Sequence, residues 1–239
     1  SYSIVELLVY LYEKVLRIDP KKPDDPDRDI FILSKGWAVS GLYSILAYKG
    51  FFDKKLLDGY CNNGDKMIAM TTINDIPGIE ATTGSAGHGL PIGAGMAMAM
   101  KLNKIDRRVY VITGDGECDE GAIWETALIA SHHKLNNLIA IIDYNKWQSF
   151  GRTNEVLNLE PLKEKWQAFN WQVVEINGHK FREIESAINK SHLSKDRPTV
   201  IIAHTVKGKG LSVIEDNNDY HYKTPREKEL KIAREEGLL

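Results

Sequence analysis

Four short runs of apolar, often β-branched residues recur along the second half of the chain. They cover residues 109–113, 138–143, 171–176 and 199–205, and they are nearly continuous rather than alternating with polar positions. Continuous apolar runs are typical of strands that are covered on both faces. The pattern therefore predicts four buried strands.

Helical patterns separate these runs, at residues 121–134, 159–169 and 181–191. Strands and helices that alternate over short joints form right-handed βαβ units, which build a parallel sheet. We therefore predict an α/β fold with a doubly wound, mainly parallel sheet and helices on both faces.

The remainder of the chain reads as further helices and one surface loop. Segment 18–29 contains three prolines, which bar a helix there. No repeat or low-complexity linker divides the chain, so we predict a single domain over residues 1–239. The other predicted helices are an amphipathic one at 1–14, two at 36–50 and 89–101, and a charged one at 225–239.

Bulk composition excludes several classes of protein. The formal net charge of the 239 residues is −2, which gives no support to a nucleic-acid or membrane partner. The longest apolar stretch, 90–100, is too short to cross a bilayer. Two widely spaced cysteines, Cys61 and Cys118, are typical of reduced thiols in a cytoplasmic protein.

The beginning of the chain does not resemble a secretion signal. It lacks a basic segment, and Glu6 interrupts its apolar residues. A helix that starts almost at residue 1 is what we expect of a shortened version of a longer chain.

Ligands of open α/β sheets bind at the carboxyl ends of the strands, so the residues that follow each run are the candidates for a site. Gly114-Asp115-Gly116 follows the first run, and Asp143-Tyr144-Asn145 ends the second. Residues 177–179 and 207–210 follow the third and fourth, and both contain glycine beside a polar group.

Familiar nucleotide motifs do not explain these residues. No GxxxxGK[ST] motif is present, and the glycines of segment 87–93 are spaced one residue too far for a dinucleotide fingerprint. A nucleotide-binding module is therefore a weak interpretation.

Asp115 between two glycines has two explanations. Alone, it is typical of a tight turn capped by its aspartate. Glycines and a helix start can also hold a phosphate, which an aspartate would repel unless a cation such as Mg²⁺ lay between them. Because Asn145 offers a second oxygen ligand after the next strand, the two together favour a metal–diphosphate site.

These motifs resemble those of a known family. Five segments, LSKGWAVSGLYSILAYKG, IPGIEATTGSAGHGL, GDGECDEGAIWETA, DYNKWQSFG and HTVKGKGLSVIED, are similar to the N-terminal subunit of a split transketolase, a thiamine-diphosphate enzyme. The resemblance runs over essentially the whole chain.

The resemblance implies a cofactor site. Asp115, Asn145 and the main-chain carbonyl of Trp147 would bind Mg²⁺, for which Ca²⁺ or Mn²⁺ could substitute. The other implied contacts to thiamine diphosphate are Gly84, Ser85, Ala86, Gly114, Gly116, the amide of Glu117, Lys207 and His221.

The resemblance implies two catalytic residues, Glu120 and His221. His88, which stands where the family often has glutamine, is the third catalytic candidate. Glu120 matches an acidic residue that reaches across a dimer, although a glutamate in a first helical turn is favoured by the helix dipole in any protein. His221 matches a histidine near the diphosphate, although a lone histidine in a polar loop is usually just exposed. Segment 207–210 matches a family loop that closes over the cofactor, and it equally fits a flexible basic turn.

Two further positions depart from the family pattern. Trp37 and Met70 stand where transketolases have histidines that face the substrate. Tryptophan donates one hydrogen bond and accepts no proton. We therefore expect an intact cofactor half combined with substrates other than the usual pentose phosphates.

The chain matches only the diphosphate-binding half of the family. The pyrimidine-binding domain is expected on a separate subunit in an α₂β₂ assembly, so the chain should be inactive alone. The expected reaction is transfer of a two-carbon ketol unit between sugar-type donors and acceptors. Two alternatives stay open: an acyloin-forming or 2-oxo-acid-decarboxylating enzyme, and a non-catalytic scaffold subunit.

Overall fold

A sheet of parallel strands forms the centre of the protein in the computed structural model, which describes residues 1–73 and 76–238. In these ranges the sheet has five strands in the order β1-β2-β3-β5-β4, and every neighbouring pair is parallel. The strands are β1 Ile30–Leu33, β2 Val109–Gly114, β3 Leu138–Tyr144, β4 Gln172–Asn177 and β5 Thr199–His204.

Strand β1 is absent from the sequence-based prediction. It has four residues, all buried, and pairs with β2 from Ile30 opposite Val109 to Leu33 opposite Ile112. A run this short, directly after the proline-rich loop, has no periodicity that distinguishes it from an irregular segment. Only its pairing with β2 defines it as a strand.

The predicted helices are present, with ends shifted by a few residues. The helices are α1 Val5–Tyr10, α2 Val39–Lys49, α3 Gly89–Leu102, α4 Gly121–His132, α5 Thr153–Val156, α6 Leu162–Ala168, α7 Phe181–Leu193 and α8 Glu227–Glu235. Of these, the four-residue α5 is absent from the sequence-based prediction. A π-helical turn at Leu11–Val15 extends α1. The predicted tail helix is shorter than 225–239, and Leu239 lies outside the described residues. Within residues 1–73 and 76–238, no helix combines the length and the apolar character that crossing a membrane requires.

Helices cover both faces of the sheet, as the predicted doubly wound fold requires. One apolar core joins α3, α4 and α6 to the first face, and a second joins α1, α2 and α7 to the other. Helix α3 lies so close to β2 that a Cβ at Gly93 would be 2.6 Å from Val111 Cγ2. The prediction of a buried strand is wrong for β4, which lies at the sheet edge with its side chains mostly half-exposed.

Candidate functional site: the carboxyl edge of the sheet

The carboxyl ends of β1, β2, β3 and β5 lie side by side. Gly114 pairs with Asp143, and Tyr144 pairs with His204. The amide of Ser34, just after β1, donates to the carbonyl of Ile112 at 2.8 Å. The polar residues that follow these strands therefore meet at one edge, which is where open α/β sheets bind ligands.

Asp115 is a buried carboxylate at this edge, with only 2% of its surface exposed. It accepts hydrogen bonds from the Gly116 amide at 2.9 Å, the Lys146 amide at 2.7 Å and the Thr153 hydroxyl at 3.1 Å. Burial, followed by the nearby charge of Asp143, raises the pKa of Asp115 to about 7. The environment therefore opposes a negative charge that a cation would stabilise.

The turn that carries Asn145 and Trp147 contacts Asp115 directly. Lys146 lies between these two residues in the chain, and its amide donates to Asp115 Oδ2. Lys146 has φ +65°, a left-handed conformation. The Asn145 side chain donates to Asp143 Oδ2 at 3.1 Å and accepts from the Trp147 amide at 3.0 Å. The three residues predicted as metal ligands therefore belong to one hydrogen-bonded unit.

This unit fits a hard divalent cation. Asp115 accepts three hydrogen bonds, which leaves one of the roughly four lone-pair sites of a carboxylate. Carboxylate, amide and carbonyl oxygens are the ligands that Mg²⁺ prefers. Across the described ranges no group of three or more His, Cys, Asp or Glu side chains could hold a metal. An ion at Asp115 would therefore share its coordination with water or phosphate oxygens, as Mg²⁺ does in phosphate sites.

Glycines bring a second segment of backbone to the same edge. Gly84 has φ +120°, and a Cβ there would be 2.1 Å from the Met70 methyl group. A Cβ at Gly36 would be 2.6 Å from the Gly84 Cα, so these two chains touch backbone to backbone. Ser85 and Ala86 follow as exposed residues. The 84–86 segment thus reaches the sheet edge with its backbone open, as a phosphate-binding loop requires.

The side chain of Glu117 holds these segments together, a role that the sequence-based prediction missed by assigning only its amide. One carboxylate oxygen accepts from the Ser34 hydroxyl at 2.6 Å and the Gly87 amide at 3.0 Å. The other accepts from the Thr113 hydroxyl at 2.8 Å and the Gly114 amide at 2.9 Å. Glu117 therefore ties the ends of β1 and β2 to the glycine-rich segment.

Replacing Glu117 by glutamine is expected to lower the free energy of unfolding by about 2 kcal/mol, because the new amide would face donors and leave them unsatisfied in the interior. Urea unfolding measures this. Glu125→Gln, the same change on the exposed side of α4, is the matched control and should have little effect. Equal losses in the two variants would contradict the role of Glu117.

Lys35 and Asp143 form a buried ion pair that the sequence did not suggest. Asp143 is fully buried and accepts hydrogen bonds from Lys35 and Thr205, and from the Ser3 hydroxyl at 2.7 Å. Although burial opposes ionisation, the adjacent Lys35 ammonium and these hydrogen bonds lower the pKa of Asp143 to about 2. The pair joins the ends of β1 and β3, the Thr205 hydrogen bond adds the end of β5, and Asn145 donates to the same carboxylate. The only signal in the sequence was a lysine two residues beyond a short apolar run.

Lys207 and His221 lie together at the far side of the edge. The Lys207 ammonium is 3.1 Å from His221 Nδ1. Burial and then Lys207 lower the pKa of His221 to about 4, so the imidazole is neutral at neutral pH and accepts from the ammonium. Burial and then Lys35 lower the pKa of Lys207 to about 8. The role of Lys207 and His221 in cofactor binding stays a prediction.

Glu120 and His88 are exposed next to this edge. Glu120 precedes the first turn of α4, and a Cβ on Gly87 would be 2.8 Å from the Glu120 Cβ. His88 precedes α3. The fold thus brings the two residues near each other and leaves both side chains open to a partner molecule. Their catalytic roles stay predictions.

Trp37 and Met70 flank the same glycines. Trp37 is 55% exposed, and its ring packs edge-on against Tyr222 with the centroids 5.6 Å apart. Tyr222 in turn packs against His221 at 4.7 Å. Met70 covers Gly84. The two departures from the family pattern therefore give one side of the edge an apolar and aromatic surface.

A cavity of about 240 Å³ lies at the opposite, amino edge of the sheet, away from these residues. Basic side chains line it, including Lys101 near the end of α3 and His192 near the end of α7. Cations at helix C-termini are favoured by the helix dipole. The basic lining therefore has a structural explanation, and the carboxyl edge remains the candidate site.

A family model described as "Transketolase, thiamine diphosphate binding domain" matches residues 1–237. The chain is 42% identical over 234 residues to a subunit of the apulose-4-phosphate transketolase of Actinobacillus succinogenes, covering 98% of this chain and 84% of that protein. It is 43% identical over 215 residues to the 6-deoxy-6-sulfo-D-fructose transketolase subunit SqwG of Clostridium sp. strain MSTE9, covering 90% of this chain and 78% of that one.

The fold is similar to that of a longer protein. The crystal structure of a Campylobacter jejuni protein described as a transketolase superposes with a TM-score of 0.92 at 31% sequence identity. The match covers 98% of this chain and 38% of the crystallised chain, so this chain spans less than half the length of that protein.

Proposed function

Because the chain belongs to the transketolase family, as its thiamine-diphosphate-binding domain, we propose that it is the diphosphate-binding subunit of a split transketolase-like enzyme. The reaction is transfer of a two-carbon ketol unit between a sugar-type donor and acceptor. The main support is the contact of buried Asp115 with the Asn145–Trp147 turn at the carboxyl edge of the sheet.

Thiamine diphosphate with Mg²⁺ is the proposed cofactor, and Ca²⁺ or Mn²⁺ could replace the magnesium. Asp115, Asn145 and the Trp147 carbonyl would hold the cation, and the glycine-rich backbone with Lys207 and His221 would face the diphosphate. When bound, thiamine diphosphate supplies a carbanion that adds to carbonyl groups, while the protein contributes position and electrostatics.

The proposed partner is a separate pyrimidine-binding subunit, in an α₂β₂ assembly. Both relatives described above are named as subunits of transketolases, and this chain spans only 38% of the Campylobacter jejuni transketolase chain. Exposed Glu120 and His88 would face that partner. We propose one domain over residues 1–239 and a cytoplasmic location, which suits the two free thiols of Cys61 and Cys118.

Substrates other than the usual pentose phosphates are proposed because Trp37 and Met70 replace two imidazoles with apolar groups. The names of the two relatives contain apulose 4-phosphate and 6-deoxy-6-sulfo-D-fructose. Neither sugar is one of the usual pentose phosphates. The same apolar surface also suits an acyloin-forming or 2-oxo-acid-decarboxylating enzyme.

The test combines binding with a substrate comparison. The chain would be purified together with a pyrimidine-binding subunit encoded beside it, and calorimetry would measure thiamine diphosphate binding with and without Mg²⁺. Magnesium-dependent binding is expected, and its absence would favour a scaffold subunit instead.

Ketose phosphates and 2-oxo acids are then offered as donors to the same complex. We expect ketol transfer from ketoses. Turnover of 2-oxo acids alone would favour the decarboxylating alternative, and ordinary rates with xylulose 5-phosphate and ribose 5-phosphate would refute the proposal of unusual substrates.

A further inference from the structure

Three side chains on the surface beside the site form a compact cluster. The indole N–H of Trp147 donates to Asp216 Oδ1 at 2.8 Å. The Arg152 guanidinium donates to both oxygens of Asp216, at 2.8 and 2.5 Å, and lies 3.8 Å from the centre of the Trp147 ring. We call Trp147, Arg152 and Asp216 the surface triad.

The triad joins two segments that are far apart in sequence. Trp147 and Arg152 pair across a short hairpin, whose segment 145–153 also carries Asn145; we call it the hairpin segment. Asp216 belongs to segment 207–221, which we call the basic segment after Lys207, Lys209 and His221, and which also carries the carboxylates of Glu215, Asp216 and Asp219. The amide of Asp216 donates to the Lys207 carbonyl at 2.8 Å, so Asp216 closes a loop that begins at Lys207.

Further contacts run between the same two segments. Asn218 donates to the Ser149 carbonyl at 3.2 Å, and the Ser149 hydroxyl lies 3.4 Å from His221 Nε2. Within the hairpin segment, Thr153 binds both Asp115 and the Lys146 carbonyl. A continuous set of hydrogen bonds therefore leads from Asp115 through the hairpin segment to the basic segment.

Asp216 adopts a left-handed backbone conformation. Its φ is +53°, a left-handed value that costs free energy for a residue other than glycine. The residue nevertheless makes hydrogen bonds through both side-chain oxygens and its amide. The fold holds Asp216 in that conformation where its carboxylate reaches both Trp147 and Arg152.

From this geometry we infer that Asp216 is a positioning residue, which couples cation binding at Asp115 and Asn145 to ordering of the basic segment. The inference rests on the proposed function, because it takes the Trp147 carbonyl as a ligand of the cation. A cation at the Trp147 carbonyl would restrict the main chain from which the indole projects. The hydrogen bond from the indole to Asp216 would then favour the ordered form of the loop that begins at Lys207. Coupling is reciprocal, so a disordered basic segment would weaken cation binding.

The expected size of the coupling follows from exposure. Arg152 and Asp216 side chains are 34% and 54% exposed, and ordinary exposed ion pairs contribute at most about 1 kcal/mol. The paired guanidinium hydrogen bonds and the indole contact strengthen this pair. Asp216→Asn is therefore expected to weaken the apparent Mg²⁺ affinity about five- to tenfold, at the low end of typical coupling.

The experiment compares Asp216→Asn with Asp219→Asn, which removes the same charge from the same segment. Asp219 is 75% exposed, and its carboxylate lies 3.7 Å from the ammonium of Lys223, which is outside the hairpin segment. Hydrogen exchange of the chain alone is measured first. Asp216→Asn should raise exchange in the hairpin segment as well as in the basic segment, and Asp219→Asn should match the wild type.

The second measurement is Mg²⁺ affinity at saturating thiamine diphosphate, in the complex with the pyrimidine-binding subunit. The expected result is the five- to tenfold loss for Asp216→Asn, a smaller loss for Arg152→Lys, which keeps the charge without the paired hydrogen bonds, and no change for Asp219→Asn. Arg152→Lys also covers the case in which Asp216→Asn fails to fold.

Unchanged Mg²⁺ affinity in Asp216→Asn would overturn this inference and leave the proposed function standing, even if exchange rose, since the triad would then only tie two surface loops together. No magnesium-dependent cofactor binding in the wild-type complex would overturn both.

Discussion

Asp115→Asn is expected to abolish magnesium-dependent thiamine diphosphate binding while the chain stays folded. Asparagine keeps the shape of the side chain and one oxygen, but it lacks the charge that a divalent cation needs. Losing a residue outside the ligand shell of a metal typically costs 10- to 100-fold in affinity, so losing the buried carboxylate ligand itself should cost about 100-fold or more. Calorimetry of the complex, titrated with Mg²⁺, measures the change.

Asp119→Asn is the matched control for this prediction. Asp119 lies in the same turn and accepts from Gln148 at 2.8 Å, but the resemblance gives it no ligand role. Because Gln148 belongs to the hairpin segment, replacing Asp119 should weaken Mg²⁺ affinity by no more than about tenfold, well short of the loss expected for Asp115→Asn. Retained magnesium dependence in Asp115→Asn would refute the assignment of the cation site.

Lys35→Met is expected to destabilise the chain by about 3–5 kcal/mol, because it would leave the fully buried Asp143 carboxylate without its cation. Methionine fills much of the space of the lysine stem, so the lost charge, not a cavity, dominates. Urea unfolding at neutral pH gives the free energy of unfolding.

Two further variants identify the cause of that loss. Lys49→Met makes the same substitution in a half-exposed pair with Glu13 at 3.2 Å, and it should cost no more than about 1 kcal/mol. Adding Asp143→Asn to Lys35→Met removes the unpaired charge and should restore part of the stability. A double variant no more stable than Lys35→Met alone would show that lost packing is the cause.

Alternation of apolar runs with helical patterns was enough to predict the α/β fold. The runs at β2, β3 and β5 are buried as expected, because the central strands of a parallel sheet are covered on both faces. β1 was missed because four residues carry no measurable period, and β4 was wrongly expected to be buried because an edge position depends on strand order.

The part of the candidate site that depends on where strands end was predictable from the sequence. Asp115 and Asn145 each follow a strand, and neighbouring parallel strands end at the same edge of a sheet, so their proximity required no knowledge of the side chains. The resemblance added Lys207 and His221, which lie 3.1 Å apart. The roles of Glu120 and His88 depend on a partner subunit, so they stay predictions.

What the sequence by itself determined is therefore the class of fold, the edge at which such folds bind ligands and the residue types offered there, because periodicity and turn chemistry act between near neighbours. Only the tertiary structure decided which distant groups meet: Glu117 with Ser34, Lys35 with Asp143, and Asp216 with Arg152. These partners lie 83, 108 and 64 positions apart. Their pairing is set by strand order and by the paths of the loops. For the buried carboxylates of Glu117 and Asp143, the free energy of burying a charge also requires a partner that no local pattern specifies.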